Sequence, residues 1–118
     1  MRFENLRVWQ EARSLTKTIY QLSHSGSFSK DFGLRDQICR ASVSIMANIA
    51  EGFERASQAE YRQFLVIAKG SCGEVRSLLY VAFDAGYIQP ETLENLKVHT
   101  FQISAMLAAL IQRVEASR

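Results

Sequence analysis

The sequence predicts an all-α protein, an antiparallel up-down-up-down four-helix bundle. Three observations carry that expectation. Apolar residues recur at alternating steps of four and three through nearly the whole chain. The breaks between these runs are short and built of helix-stopping and helix-starting residues. No stretch keeps the period of two that a half-buried strand requires. At 118 residues the chain suffices for one domain with a continuous core and no disulfide or metal staple.

The first segment, about residues 5–23, places Val8, Ala12, Leu15, Ile19 and Leu22 on one face. The stretch HSGSFSKD, with Gly26 and three serines, ends it. The second, about 31–54, carries Leu34, Ile38, Ala41 and Ile45 in the same rhythm. The third, about 58–85, opens on a capping box from Ser57 to Glu60, in which hydroxyl and carboxylate satisfy free amides. Its seam is Tyr61, Leu65, Ala68, Cys72, Val75, Leu79 and Ala82, and Gly86 stops it. The fourth, about 90–116, starts with Pro90 as first helical residue and runs through Leu93, Leu96, Thr100, Ile103, Leu107, Leu110 and Val114. An average step of about 3.5 is the seam of helices packed about 20° from parallel or antiparallel. Turns this short make chain neighbours antiparallel. The third helix, at 1.5 Å per residue, should be about 42 Å long.

Composition excludes several classes. Hydrophobic residues make up 47% and charged residues 22%, the balance of an ordinary globular protein. The net charge of +2 and pI near 8.7 form a mild surplus that speaks first to solubility. The opening MRFENLRVWQ is charged at Arg2, Glu4 and Arg7, so it does not read as a secretory signal. No run of about 18 apolar residues occurs, and the expected location is the cytoplasm, with no membrane partner. Cys39 and Cys72 lack CxxC spacing and fall inside helical patterns, as buried free thiols would in a reducing compartment. His24 and His99 lie in other segments, and spacing places neither beside a cysteine as a base. Neither histidine follows a glutamate by three, and HExxH, P-loop and GxGxxG patterns are absent from the sequence. The expectation is a protein that is not an enzyme and takes no metal or cofactor.

Two features depart from a plain bundle. Extending the second seam by its own rhythm brings Asn48 and Gly52 to core positions, with Ser44, Asn48 and Glu51 as one polar edge and Arg55 at its end. A lone asparagine at a seam sets register at a cost in stability. A carboxylate near a core is costly unpaired, so Glu51 is expected to accept hydrogen bonds or face an arginine, with Arg62 across the turn as the candidate. The second departure is a second apolar face. Opposite its seam, the third segment reads Ala59, Gln63, Val66, Gly70, Gly73, Ser77 and Tyr80, and the fourth has Val98, Phe101, Ala105 and Ala108 off its seam. Each mid-helix glycine costs about 1 kcal/mol relative to alanine. Helices apolar on two sides are buried on two sides. Val66, Gly70, Gly73, Ser77 and Tyr80, with Val98, Phe101 and Ala105, are therefore expected at a subunit interface.

Charge is patterned as well. Arg55, Arg62, Lys69 and Arg76 are spaced by seven along one edge. Such a stripe can track a phosphate backbone. It can equally be long side chains covering the bundle seam. Tyr61 and Phe64 read as core, so base stacking is not indicated.

The run DFGLRDQICRASVSIMANIAEGFERAS followed by EYRQFLVIAKGSCGEV resembles the small four-helix-bundle proteins encoded in intervening sequences of bacterial 23S ribosomal RNA genes. FENLRVWQEA and LLYVAFDAGYI extend the likeness over essentially the whole chain. Its most specific parts are Asn48-Ile49-Ala50-Glu51-Gly52 and Phe64-Leu65-x-Ile67-Ala68-x-Gly70-Ser71-x-x-Glu74, which the resemblance makes a structural polar motif of Asn48, Glu51, Gly52, Ser71 and Glu74. Met46 stands where many relatives have proline. The resemblance implies a ring-shaped homopentamer. The chain is also similar to the accessory variability proteins of diversity-generating retroelements, basic pentamers that bind nucleic acid and work with a reverse transcriptase. The functional expectation is an oligomer that binds RNA or DNA through Arg55, Arg62, Lys69 and Arg76 without strong sequence preference; the alternative is an oligomeric adaptor for another protein.

Overall fold

The four periodic segments are four helices. The computed structural model describes residues 1–117, and among them no strand occurs. The helices are α1 (Arg7–Ser23), α2 (Phe32–Phe53), α3 (Gln58–Asp84) and α4 (Pro90–Ala116), with short 3-10 turns at Phe3–Asn5 and Gly26–Lys30. Every seam residue named from the sequence is buried except Leu22, Asn48 and Tyr61, which are half-buried. One continuous apolar cluster contains the apolar seam residues, Leu22 and Tyr61 packing at its margin. The molecule measures 47 × 21 × 20 Å, the long dimension set by α3 and α4.

Local chemistry ends each helix where the sequence places a stop. Asp31 caps α2, its carboxylate accepting from the Leu34 amide at 3.2 Å. Ser57 caps α3 by accepting from the Glu60 amide at 3.1 Å, and its hydroxyl donates to the Glu60 carboxylate at 3.2 Å. Gly86 closes α3 at φ +80°, a left-handed conformation that a side chain would oppose. The Tyr87 amide then reaches the Ala82 carbonyl and the Gly86 amide the Phe83 carbonyl, each at 2.9 Å. Pro90 begins α4. α2 runs unbroken through Met46.

Contacts between helix ends and flanks hold the layers together. The Tyr87 hydroxyl, beyond α3, donates to Asp31 at the start of α2 at 2.9 Å, and its ring stacks on Phe28 at 5.2 Å. Gln58, opening α3, donates to Ser117, beyond α4, at 2.9 Å. Glu11 of α1 meets His99 of α4 at 2.8 Å. No buried side-chain polar atom among the described residues lacks a hydrogen-bond partner. Thr16 of α1, for example, bonds the Ala12 carbonyl at 2.8 Å and the Ser42 carbonyl of α2 at 3.1 Å.

α2 and α3 approach tightly at Gly52. A Cβ there would lie 2.7 Å from the Phe64 Cβ, 3.2 Å from the Tyr61 ring and 3.3 Å from the Tyr61 carbonyl oxygen. The core position expected for Gly52 is thus a place where only hydrogen fits. A Gly52→Ala variant is expected to lose about 1–3 kcal/mol by overpacking, despite alanine's better helix propensity. Urea unfolding monitored by circular dichroism checks this, and an unchanged midpoint would refute the tight α2–α3 crossing.

Candidate functional site

Asn48, Ser44 and Ser71 form a polar bridge between α2 and α3. The Asn48 amide donates to the Ser44 carbonyl at 2.7 Å and to its hydroxyl at 3.0 Å. The Ser44 hydroxyl meets that of Ser71 at 2.9 Å. Ser71 is buried and also donates to the Ile67 carbonyl of its own helix at 3.2 Å. Asn48 is half-buried at the margin of the core. Ser71 links the two halves of the motif.

Glu51 faces an arginine, as expected, but not the expected one. Its side chain is 53% exposed and pairs with Arg55 at 2.8 Å, one helical turn on, whereas Arg62 pairs with Glu115 of α4 at 3.1 Å. The Cα direction explains the correction: three residues beyond Asn48 the helix has already turned Glu51 off the seam and into water. Glu74, also exposed, lines an open cleft of about 700 Å³ with Asp36, Gln37 and Arg40 of α2.

The basic stripe is mostly engaged. Arg55 meets Glu51 and, at 3.7 Å, Glu60, and lies over the Phe64 ring at 4.9 Å. Arg76 lies over the Phe101 ring of α4 at 4.3 Å and donates to the Thr100 hydroxyl at 3.4 Å. With Arg62 on Glu115, both arginines of α3 cover its seam with α4. Among the described residues Lys69 alone of the four makes no ion pair and lies over no ring.

The second apolar face is open in the single chain. Val66 is 44% exposed, Tyr80 44%, Val98 51% and Phe101 54%. Gly70, Ser77 and Ala105 are also exposed, and Gly73 is half-buried. A Cβ on Gly70 would meet nothing within 4 Å, and on Gly73 only the tip of Arg76 at 4.0 Å. Lys97 of α4 lies over the Tyr80 ring of α3 at 5.0 Å and bonds Glu94 at 3.1 Å. Hydrogen bonding to Tyr80 and then to Glu94 raises the Lys97 pKa. The two cation–ring pairs, Lys97 on Tyr80 and Arg76 on Phe101, join the α3 and α4 faces into one surface. Sequence spacing could not reveal them, because each depends on the register between two helices.

A second group of cations was hidden by the attention that α3 attracts. Residues 1–30 carry Arg2, Arg7, Arg13, Lys17 and Lys30 against Glu4 and Glu11. Arg13 lies over the Trp9 ring at 5.9 Å, and Arg13 and Lys17 line one shallow cleft with Gln10 and Ser14. Charge counted by segment would have found this surplus.

The thiols are core groups. Burial pushes Cys72 up to about 11, against the pull of Arg76 and Lys69, so it stays protonated at neutral pH. Cys39 lies 3.2 Å from the Ser23 hydroxyl, and His24 is the next residue. The His24 Nδ1 donates to the Tyr20 carbonyl at 2.9 Å, so that nitrogen carries its proton and is no base for the thiol. No group of three or more metal-ligating side chains converges among the described residues. No helix there is long and apolar enough to cross a membrane.

The chain belongs to the 23S rRNA-intervening sequence protein family, whose model matches residues 4–109. It is similar to a crystal structure of a protein of unknown function from the S23 ribosomal protein family of Bacteroides thetaiotaomicron. That likeness has a TM-score of 0.82 and 25% identity, and covers 89% of this chain and 95% of that one. No curated protein matches the chain.

The exposed Glu51–Arg55 pair carries its own expectation. Removing the carboxylate in Glu51→Ala should change stability by less than about 1 kcal/mol, because water already solvates both partners. A thermal melt at low and high salt checks this. A loss well above that, insensitive to salt, would mean that Glu51 holds a buried partner after all.

Proposed function

We propose that this 23S rRNA-intervening sequence protein is a non-enzymatic, self-assembling scaffold. Its unit is a single antiparallel up-down-up-down bundle, and its units join through the α3/α4 face into a homo-oligomer. A pentameric ring is the assembly that the family resemblance implies. The observation that carries this reading is the open apolar face of Val66, Tyr80, Val98 and Phe101. A contiguous apolar surface with a charged rim is the ordinary sign of an interaction site. The empty space over Gly70 leaves room for another backbone. A scaffold of this kind acts as an adaptor by presenting the remaining helix faces of several copies to another protein.

Light scattering at micromolar concentration tests the assembly. Wild type should be larger than 13.4 kDa, and Gly70→Glu or Gly73→Glu should yield monomers with unchanged helical circular dichroism. A monomeric wild type overturns the proposal.

A nucleic-acid partner is the second reading, favoured by the cation surplus in residues 1–30 and by the open Lys69. The net charge of +2 per chain becomes +10 in a pentamer, and repetition raises avidity without any strong single contact. The engagement of Arg55, Arg62 and Arg76 moves the weight to Arg13, Lys17 and Lys69. Binding of RNA or DNA should then ignore sequence, weaken steeply between about 50 and 200 mM salt, and fall on reversal of Lys17 and Lys69 to glutamate. No retention at about 50 mM salt, where such contacts are strongest, removes this reading and leaves the protein-binding scaffold, with any reverse transcriptase partner bound by protein contacts alone.

A further inference from the structure

We propose that the cleft between the start of α1 and the last turns of α4 docks an acidic, aliphatic segment of a partner protein. One aliphatic side chain enters the cleft, and carboxylates beside it pair with Arg7 and Arg113. The cleft has a volume of about 220 Å³, walls of Leu6, Val8, Met106 and Leu110, and both arginines in its lining.

Charge complementarity selects the occupant. Arg7 and Arg113 are exposed, and among the described residues neither meets a carboxylate within 4 Å. The first turn of α1 holds no acidic residue, and Glu115, near Arg113 in sequence, is held by Arg62 at 3.1 Å. Among the described residues no carboxylate pairs with either guanidinium, and each can take one in a two-pronged hydrogen bond. Size selects further. Ligand pockets ordinarily run to about 300–1,000 Å³, so this smaller cleft suits a side chain anchored by its own peptide. Met106 in the wall adds an adaptable thioether, a side chain favoured where a surface must fit its partner.

The site lies on the α1 flank of α4. Phe101 lies on the α3 side of the same helix, under Arg76. Docking therefore goes beyond the assembly reading and does not require it, since the cleft is complete within one chain.

The test uses the full chain, in whatever oligomeric state it holds, and a short fluorescein-labelled peptide alternating leucine with aspartate. Anisotropy should show saturable binding. The Arg7→Glu/Arg113→Glu double variant should weaken it at least ~10-fold by placing like charges opposite the peptide. Ala109→Trp, in the same lining, should weaken it comparably by filling the cleft, with the melting curve retained to show the fold intact. No saturation up to about 1 mM peptide, a concentration that reaches even weak docking, overturns the proposal. So does equal binding of an aspartate peptide lacking leucine, or affinity unchanged in both variants. Binding of decanoate with no binding of the peptide would assign the cleft to a lipid-like anion and overturn the peptide occupant.

Discussion

The approach of α2 to α3 at Gly52 is the constraint on which the rest of the arrangement depends. With the Phe64 Cβ 2.7 Å from where a Gly52 Cβ would stand, the two backbones are fixed in depth and in register at that crossing. The same register brings Ser44 opposite Ser71, two turns and more away, so that the hydroxyls meet at 2.9 Å. A slip of one residue would break that bond and leave the buried Ser71 hydroxyl only its Ile67 carbonyl partner. Packing fixes how close the helices come, and the polar bridge fixes which residues face each other. Once α3 is clamped in this rotation, its other side is committed to wherever Val66, Gly70 and Tyr80 point.

Several cations of this net positive chain, most of them arginines, are spent on rings and seams. Five cation–ring pairs occur among the described residues, on Trp9, Phe32, Phe64, Phe101 and Tyr80. Energetically significant instances arise about once per 70–80 residues, so this density is a feature of the surface. Arg76 illustrates the consequence. Its guanidinium covers Phe101, bonds Thr100 and partly offsets the burial that keeps Cys72 protonated, three local tasks for a charge that spacing alone assigns to a phosphate backbone. Long stems over apolar seams and charged tips at their edge are what a bundle needs where two helices meet water.

The fold was legible because it rests on periodicity, and periodicity is local. The seams, the Ser57 cap, the Gly86 stop and the Pro90 start each need only residues within a turn or two, and all four helices lie within two residues of their expected ends. The site was legible only in part. Asn48 and Gly52 were recognisable as departures from a seam, but the Ser44–Ser71 bond and the Arg62–Glu115 pair join residues 27 and 53 positions apart, which no local pattern encodes. Glu51 shows the complementary failure. A polar residue three steps from the seam can fall on either side of the core's edge, and the side is decided by where the neighbouring helix stands.

The glycines separate what the chain explains by itself from what it does not. Gly52 is required by contacts inside the chain, since any side chain would strike Phe64. Gly70 has no such reason: it is exposed, no atom lies within 4 Å of a Cβ placed there, and its backbone is helical with no positive φ. Alanine would be favoured there by about 1 kcal/mol on helix propensity, and nothing within the bundle offsets that. Gly73 repeats the pattern on the same face, with only the guanidinium end of Arg76 nearby. Two uncompensated costs beside Val66, Tyr80 and Phe101 fall on one surface, and a single cause outside the chain would account for both. Another backbone pressed against α3 would turn each missing side chain from a loss into a contact, and it would cover the exposed aromatic rings at the same time. That economy is the reason to place the proposed assembly on α3 and α4 rather than on the charged flank of α1.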